Sequence, residues 1–251
     1  MKRWLGWLTV LLVLVPATAW ADAAADHYNR GNRLFEQNEF TAALEAYEAA
    51  FAAGADDADL FLNLGNAAFR AGQHGEAVWA CEMGLRLAPR DEDLRYNLRY
   101  AEAFLRDELP EGEHAFLVRL AQRVALTFSA REALGIALFA WLILGVTAML
   151  WLPRRRSWLL ALGIAAVFIL LIFGPLAGWR IYDQHVISRA VVIAEEAVVR
   201  TAPAADAPEA FTIHSGLRFE LIDQRADFAR IRVASGLQGW IPKESFRRLM
   251  P

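Results

Sequence analysis

The sequence is poor in the residues that carry covalent and metal chemistry. A single cysteine, Cys81, excludes an internal disulfide or a cluster of thiolate ligands. Its place in a helical stretch reads as a small buried hydrophobe rather than a reactive thiol. Five histidines, His27, His74, His114, His185 and His214, stand singly, without metal-ligand spacing. Glycines never gather ahead of Lys-Ser or Lys-Thr, so a phosphate-cradling loop is missing. Acid pairs such as Asp56-Asp57 and Glu195-Glu196 fall in turns and strand edges, where solvated charge outweighs acid–base work. Neither catalysis, nor a metal site, nor a cofactor is expected. Excess of one charge is missing too: 26 Lys and Arg against 29 Asp and Glu give a net charge of −3, which offers no footprint for nucleic acid. The acids are unevenly spread, however, and from Asp22 to Glu111 they outnumber the bases by about ten, which favours basic or neutral partners.

Apolar residues are abundant instead. They make up 56% of the chain, above the roughly 45–50% of soluble proteins, and they concentrate in three segments. The first comes after Met1-Lys2-Arg3, runs from Trp4 to Val15, breaks at Pro16 and ends Ala19-Trp20-Ala21 before Asp22. This is the form of a secretory signal over 1–21, with cleavage after Ala21; an uncleaved anchor would export the downstream chain equally well. The second and third, 133–152 and 158–179, hold no charged residue and are each long enough to cross a hydrocarbon core about 30 Å thick. Between them lies a loop over 153–157, Pro153-Arg154-Arg155-Arg156-Ser157, whose three arginines place it in the cytoplasm. Both flanking regions then share the exported side, so the expected location is a bacterial inner membrane with two periplasmic domains. Trp151, Trp158 and Trp179 read as interfacial anchors, and Pro175 reads as letting the third segment finish. With no acid, lysine or histidine in either span, an ion pathway is not expected. Ahead of the second segment, over 112–130, Phe116, Leu117, Leu120, Ala121, Val124 and Phe128 recur at helical spacing. That stretch reads either as an amphipathic helix on the membrane surface or as an extra helix packed on the preceding domain.

Internal repetition marks the region 22–108. Asn29, Asn63 and Asn97 are evenly spaced, as are Tyr28, Leu62 and Tyr96, with the period of about 34 residues of a tetratricopeptide (TPR) repeat. The residues resemble that family position by position: Gly31, Leu34, Phe40, Ala43, Tyr47 and Ala50 in the first repeat, and Leu64, Gly65, Ala68, Ala77, Cys81, Gly84 and Pro89 in the second. The glycines let paired helices approach closely, Asn38 and Gly72 end first helices in left-handed conformations, and Asp91 caps the next helix. Helices are expected over about 24–37, 40–53, 58–71, 74–87 and 91–106. The third unit has Arg99 in place of the packing glycine and no second helix, but Leu94, Leu98, Ala101 and Leu105 form an apolar stripe suited to a capping helix. Two repeats and a cap fall short of the usual three, so docking on a partner or the membrane is expected to complete the domain. The resemblance implies a concave groove lined by Tyr28, Asn29, Asn32, Leu62, Asn63, Asn66 and Arg70, whose amides either hold a partner's backbone or bond within the repeats. Lysines that would clamp a C-terminal carboxylate are missing beside these asparagines.

After residue 186 the pattern turns β-like. Residues 190–193, 196–199, 219–222 and 228–233 are strand-length and rich in β-branched residues, and turn-rich pieces separate them. Val199-Arg200 with Pro203, Gly216 before a strand, Phe228, and Gly239-Trp240-Ile241-Pro242 resemble the bacterial SH3-like family, which implies a small all-β barrel over 186–251. Phe228 and Trp240 are its candidate partner-binding or wall-binding residues, against a plain packing role. The fold class expected is thus multidomain: a TPR solenoid, a two-helix transmembrane hairpin and an SH3-like barrel. This order of parts resembles the BatE-like proteins of the Bat (aerotolerance) group. The resemblance implies partnership with von Willebrand-type Bat proteins and a MoxR-type ATPase in envelope stress or oxygen tolerance. Its function is read as a non-enzymatic interaction scaffold, with a peptidoglycan-binding wall sensor as the alternative.

Overall fold

The structure, a computed structural model, describes residues 23–107, 127–185 and 188–249. The leader over 1–21 and nearly all of the surface helix expected over 112–130 lie outside the described residues. Residues 23–107 and 189–249 belong to one compact unit, and 127–185 to a second.

Five helices open the first unit: α1 over 23–36, α2 Phe40–Ala52, α3 Ala58–Arg70, α4 His74–Leu87 and α5 Glu92–Glu102. Local chemistry sets their limits. The carboxylates of Asp57 and Asp91 accept from the backbone N–H of Leu60 (2.8 Å) and Leu94 (2.9 Å), capping α3 and α5. Asn38 (φ 63°) and Gly72 (φ 79°) turn the chain out of α1 and α3 in the left-handed region. Tyr47 packs under Gly31 so closely that a Cβ there would sit 2.5 Å from its ring, which is why that position has no side chain. Helix α5 stops at Glu102, four residues before its expected end. Its last turn tightens into bonds from Phe104 N to Ala101 O and from Leu105 N to Glu102 O, carrying Leu105 and Asp107 toward the strands.

The strands form a seven-stranded antiparallel sheet: β1 Arg189–Val192, β2 Glu196–Arg200, β3 Glu209–His214, β4 Arg218–Arg225, β5 Phe228–Val233, β6 Gln238–Pro242 and β7 Phe246–Arg248, in the order β3-β2-β6-β5-β4-β1-β7. Alternation along β5 sends Ala229, Ile231 and Val233 inward and leaves Arg230 and Arg232 outside. Facing residues from the other strands, including Val199, Ile213, Phe219 and Ile241, complete a core. The expected barrel is not closed: the sheet ends at β3 and β7, which do not pair with each other. Three strands go beyond the four segments read from the sequence: β6, which falls on the Gly239-Trp240-Ile241-Pro242 motif, and β3 and β7. In β3 only Ile213 is buried, and two of the three residues of β7 are arginines, so neither carries a clear apolar pattern.

Array and sheet share one core, contrary to the expectation of two separate modules. Val191 and Leu249 are buried among Leu44, Tyr47, Phe61, Val78 and Trp79. The outer edge of β7 is closed by helix side chains: the Trp79 indole N–H donates to Arg248 O (2.7 Å), and the Arg86 guanidinium donates to Leu249 O. A Cβ on Gly75 would lie 2.4 Å from Val192 O, so the sheet backbone reaches α4 only because that residue is glycine. Charges finish the joint. Arg247 pairs with Glu48 (2.7 Å) and Glu76 (2.8 Å) while stacking 3.6 Å from the centre of the Trp79 ring. Arg218 sits between Glu82 and Glu102; its Nε lies 2.6 Å from Glu82 as a charge contact rather than an aligned hydrogen bond. Asp107 accepts from the backbone N–H of His214 (2.7 Å) and contacts its Nδ1 (2.8 Å). The sheet therefore packs against side chains of α2, α4 and α5, and the array is extended by its own chain.

The second unit is a helical hairpin, α6 Ala130–Arg154 and α7 Ser157–His185. Ser129 and Glu132 form a reciprocal capping box that starts α6. Both helices are long and apolar enough to cross a membrane. Their seam is made of small residues, with Ala133, Ala137, Ala140, Ala166 and Ala177 buried. Outward side chains such as Trp141, Met149 and Leu171 are exposed by 66–75%, unlike those of a helix in a soluble core. Helix α7 does not finish at Pro175 as expected but continues to His185, a tolerance usual where an apolar helix is buttressed by a neighbour.

Candidate functional site

The predicted groove residues lie on α1 and α3, the first helices of the two repeats, and α5 stands beside α3 as the first helix of the third unit. Most of the asparagine amides bond to one another or to tyrosines. Asn63 Nδ2 donates to Tyr28 Oη (2.8 Å) and toward Asn32 Oδ1 (3.4 Å), and Tyr47 Oη donates to Asn32 Oδ1 (2.9 Å). One repeat later, Asn97 Nδ2 donates to Asn66 Oδ1 (2.8 Å). The structure thus brings Tyr28, Asn32 and Asn63 into one network and Asn66 into a second, while Asn29 is exposed and Leu62 half-buried. Burial pushes the Tyr47 hydroxyl up to about 12. Burial, and then the Asp59 carboxylate, also raise Tyr28 above its ordinary value of 10. Both phenols stay protonated and keep the ladder intact across physiological pH.

Each amide bonded in this way still has groups to offer. Asn66 keeps its Nδ2 hydrogens and Asn97 its Oδ1, a donor and an acceptor side by side, which matches the complement of a peptide backbone. They border a cavity of about 280 Å³ between α1, α3 and α5. Its floor is Gly65, Ala77 and Cys81, and its walls include Phe35, Phe69, Tyr96 and Tyr100. Burial raises the Cys81 thiol to about 12, with Glu82 and Glu102 adding to the shift, so it forms part of an apolar floor and not a nucleophile. Arg70 reaches the rim with its guanidinium 4.2 Å from the centre of the Phe40 ring.

Sequence reasoning missed the aromatic wall. Tyr96 and Tyr100 stand at i and i+4 on α5, Phe104 follows in the turn just past its end, and the three are 59%, 48% and 51% exposed. The rings of Tyr96 and Tyr100 are nearly parallel with centres 6.1 Å apart, and Phe104 stacks on His74 at 5.4 Å. Phe69 contacts Tyr100, Phe104 and His74. The signal was available: Tyr96 holds the same repeat position as Tyr28 and Leu62, and the other two come after it at helical spacing.

On the sheet, Trp240 is buried, with Arg225 5.5 Å from its ring centre, and Phe228 is half-buried on the neighbouring strand. Among the described residues, no three His, Cys, Asp or Glu side chains come together as metal ligands would. Residues 28–92 match the tetratricopeptide repeat family model. That match covers α2, α3 and α4 and most of α1, and it is the family of a protein–protein interaction module. No curated protein matches the chain.

Proposed function

We propose that the protein is a membrane-anchored scaffold that holds a partner protein in the groove of its tetratricopeptide array. The observation that carries the reading is the exposed aromatic wall of α5 beside the free amide groups of Asn66 and Asn97. Three large rings left in solvent along α5 and the turn that follows it are costly unless something covers them. Aromatic side chains flanked by backbone-complementary amides suit an apolar peptide segment. Of the predicted groove residues, Asn66 and Arg70 border this cavity, and Asn29 is open to a ligand; Tyr28, Asn32, Leu62 and Asn63 support the groove's other half.

The same reading places both ends of the hairpin on the periplasmic side of a bacterial inner membrane. It is supported by the Arg154-Arg155-Arg156 turn and by the leader-like start of the chain. It treats the sheet as an opened SH3-like module, on the strength of Gly239-Trp240-Ile241-Pro242, and the whole as a BatE-like component working with von Willebrand-type Bat proteins and a MoxR-type ATPase. The buried state of Trp240 favours a packing role for that residue over wall binding.

Co-purification of the full chain from detergent-solubilised membranes tests the scaffold. A Tyr96→Ser/Tyr100→Ser variant that remains folded is expected to lose a partner that the wild type retains. Retention of every partner would remove the groove from the proposal. Protease protection in spheroplasts tests the orientation, since a cytoplasmic array would be shielded.

A further inference from the structure

Behind the turn that joins α6 and α7, the hairpin has an apolar cleft of about 300 Å³. Leu144, Ala148 and Trp151 of α6 and Leu160, Ile164 and Phe168 of α7 are among its walls. The one hydroxyl in the lining, on Thr147, already donates to Ile143 O (2.8 Å) and Leu144 O (3.0 Å), and apart from the Trp151 indole every other lining side chain is aliphatic or phenyl, or is glycine. The cleft suits hydrocarbon.

The cleft begins within a helical turn of three exposed cations. Trp151 precedes Arg154 by three residues, and Leu160 follows Arg156 by four. Arg155 takes a left-handed backbone conformation (φ 45°, ψ 33°), and its guanidinium lies 4.4 Å from the centre of the Trp151 ring, against the cleft wall. No aspartate or glutamate occurs between Glu132 and Asp183. Three adjacent positive charges in this unit therefore stand some twenty residues from the nearest acid in either direction, and their counter-charge has to come from outside the hairpin.

We infer that this cleft is a binding site for one anionic phospholipid, with an acyl chain lying between α6 and α7 and the phosphate on Arg154, Arg155 and Arg156. The inference rests on the hairpin being membrane-embedded. Elsewhere the apolar surface of the hairpin accepts any acyl chain; among the described residues of this unit, only here do an apolar cleft and uncompensated cations meet. A second copy of the chain could fill the cleft with an apolar helix. At matching depth, though, it would bring three more arginines beside the first three.

Native mass spectrometry of the full-length protein in mild detergent tests the site, with phosphatidylglycerol and phosphatidylcholine of identical acyl chains offered together. The expected result is at least about a ten-fold preference for phosphatidylglycerol, since each arginine near a lipid surface is worth about a factor of five. Arg154→Gln/Arg155→Gln/Arg156→Gln should abolish the preference. Ala148→Phe keeps the charges but fills the cleft, and should lower retention of both lipids. A wild type without head-group preference, or a triple variant that keeps it, would overturn the site. So would lipid-free dimers, which would assign the cleft to a second copy. Failure of the membrane reading has a different signature, release of the protein from membranes by alkaline carbonate.

Discussion

Helices α4 and α5 turn one side to the sheet and the other to the groove, and the two sides are finished in opposite ways. Toward the sheet, polar groups meet partners: Trp79 with Arg248 O, Arg247 with Glu48 and Glu76, Arg218 with Glu82 and Glu102, Asp107 with His214. Toward the groove, Tyr96, Tyr100 and Phe104 remain in solvent, and the amides of Asn66 and Asn97 keep unspent donors and acceptors. A short array needs extra packing to be stable. Here that packing comes from the chain itself, so whatever enters the groove is not needed to hold the array together. Folding and binding are assigned to different faces of the same helices.

The largest effect should come from cutting the closed side at its centre. Trp79 is almost fully buried among Phe51, Phe61 and the β7 edge. Trp79→Ala is expected to cost about 3–5 kcal/mol, and helix and sheet signals should be lost together in denaturant titrations of the full chain. If the sheet signal survived alone, array and sheet would not be one cooperative body. Next is Arg247→Ala, which leaves Glu48 and Glu76 facing each other without their cation. A loss of about 2 kcal/mol is expected, below the value for a fully buried pair because the Arg247 side chain is 24% exposed. Adding Glu76→Gln should recover part of it, a coupling that a double-mutant cycle reads directly.

The groove side should respond in the reverse sense. Tyr100→Ser is expected to change stability by less than about 1 kcal/mol, while partner retention falls; a large loss of stability would mean that the groove wall also holds the fold. The smallest effect concerns pH. Burial holds the Glu76 carboxyl above its ordinary value of 4.5, even though Arg247 pulls it down. Because the folded chain prefers this group protonated, its stabilising share is complete below the ordinary value and fades as pH rises through the raised one. Glu76→Gln should therefore gain on the wild type as pH is raised from about 4 to 7, read from denaturant midpoints.

Local chemistry made the array legible. The 34-residue spacing, the cap at Asp91 and the left-handed positions Asn38 and Gly72 are short-range signals, and the structure has all of them; the matching cap at Asp57 was passed over as a solvated acid pair. The hairpin was legible for the same reason, as two uninterrupted apolar runs. Its helices outran those runs because neither Pro175 nor the polar residues after Trp179 stops a helix that has a neighbour. The union of array and sheet left no local trace. Trp79 fits any amphipathic helix and Arg247 reads as an ordinary surface charge, yet their contact spans well over 150 residues. The strands β3 and β7 were hidden because few of their residues face the core. The groove's aromatic wall was partly legible, through the place of Tyr96 in the repeat, but exposure decided its meaning.

The position of β7 also has a meaning in time. Phe246–Arg248 is made after the other six strands of its sheet, and it supplies the acceptor for an indole made some 170 residues earlier. Helix α4 thus leaves the ribosome long before its outer side can be closed. In the interval Trp79 and Glu76 are a surface awaiting a distant strand of the same polypeptide, and correct maturation depends on that strand arriving before something else takes its place.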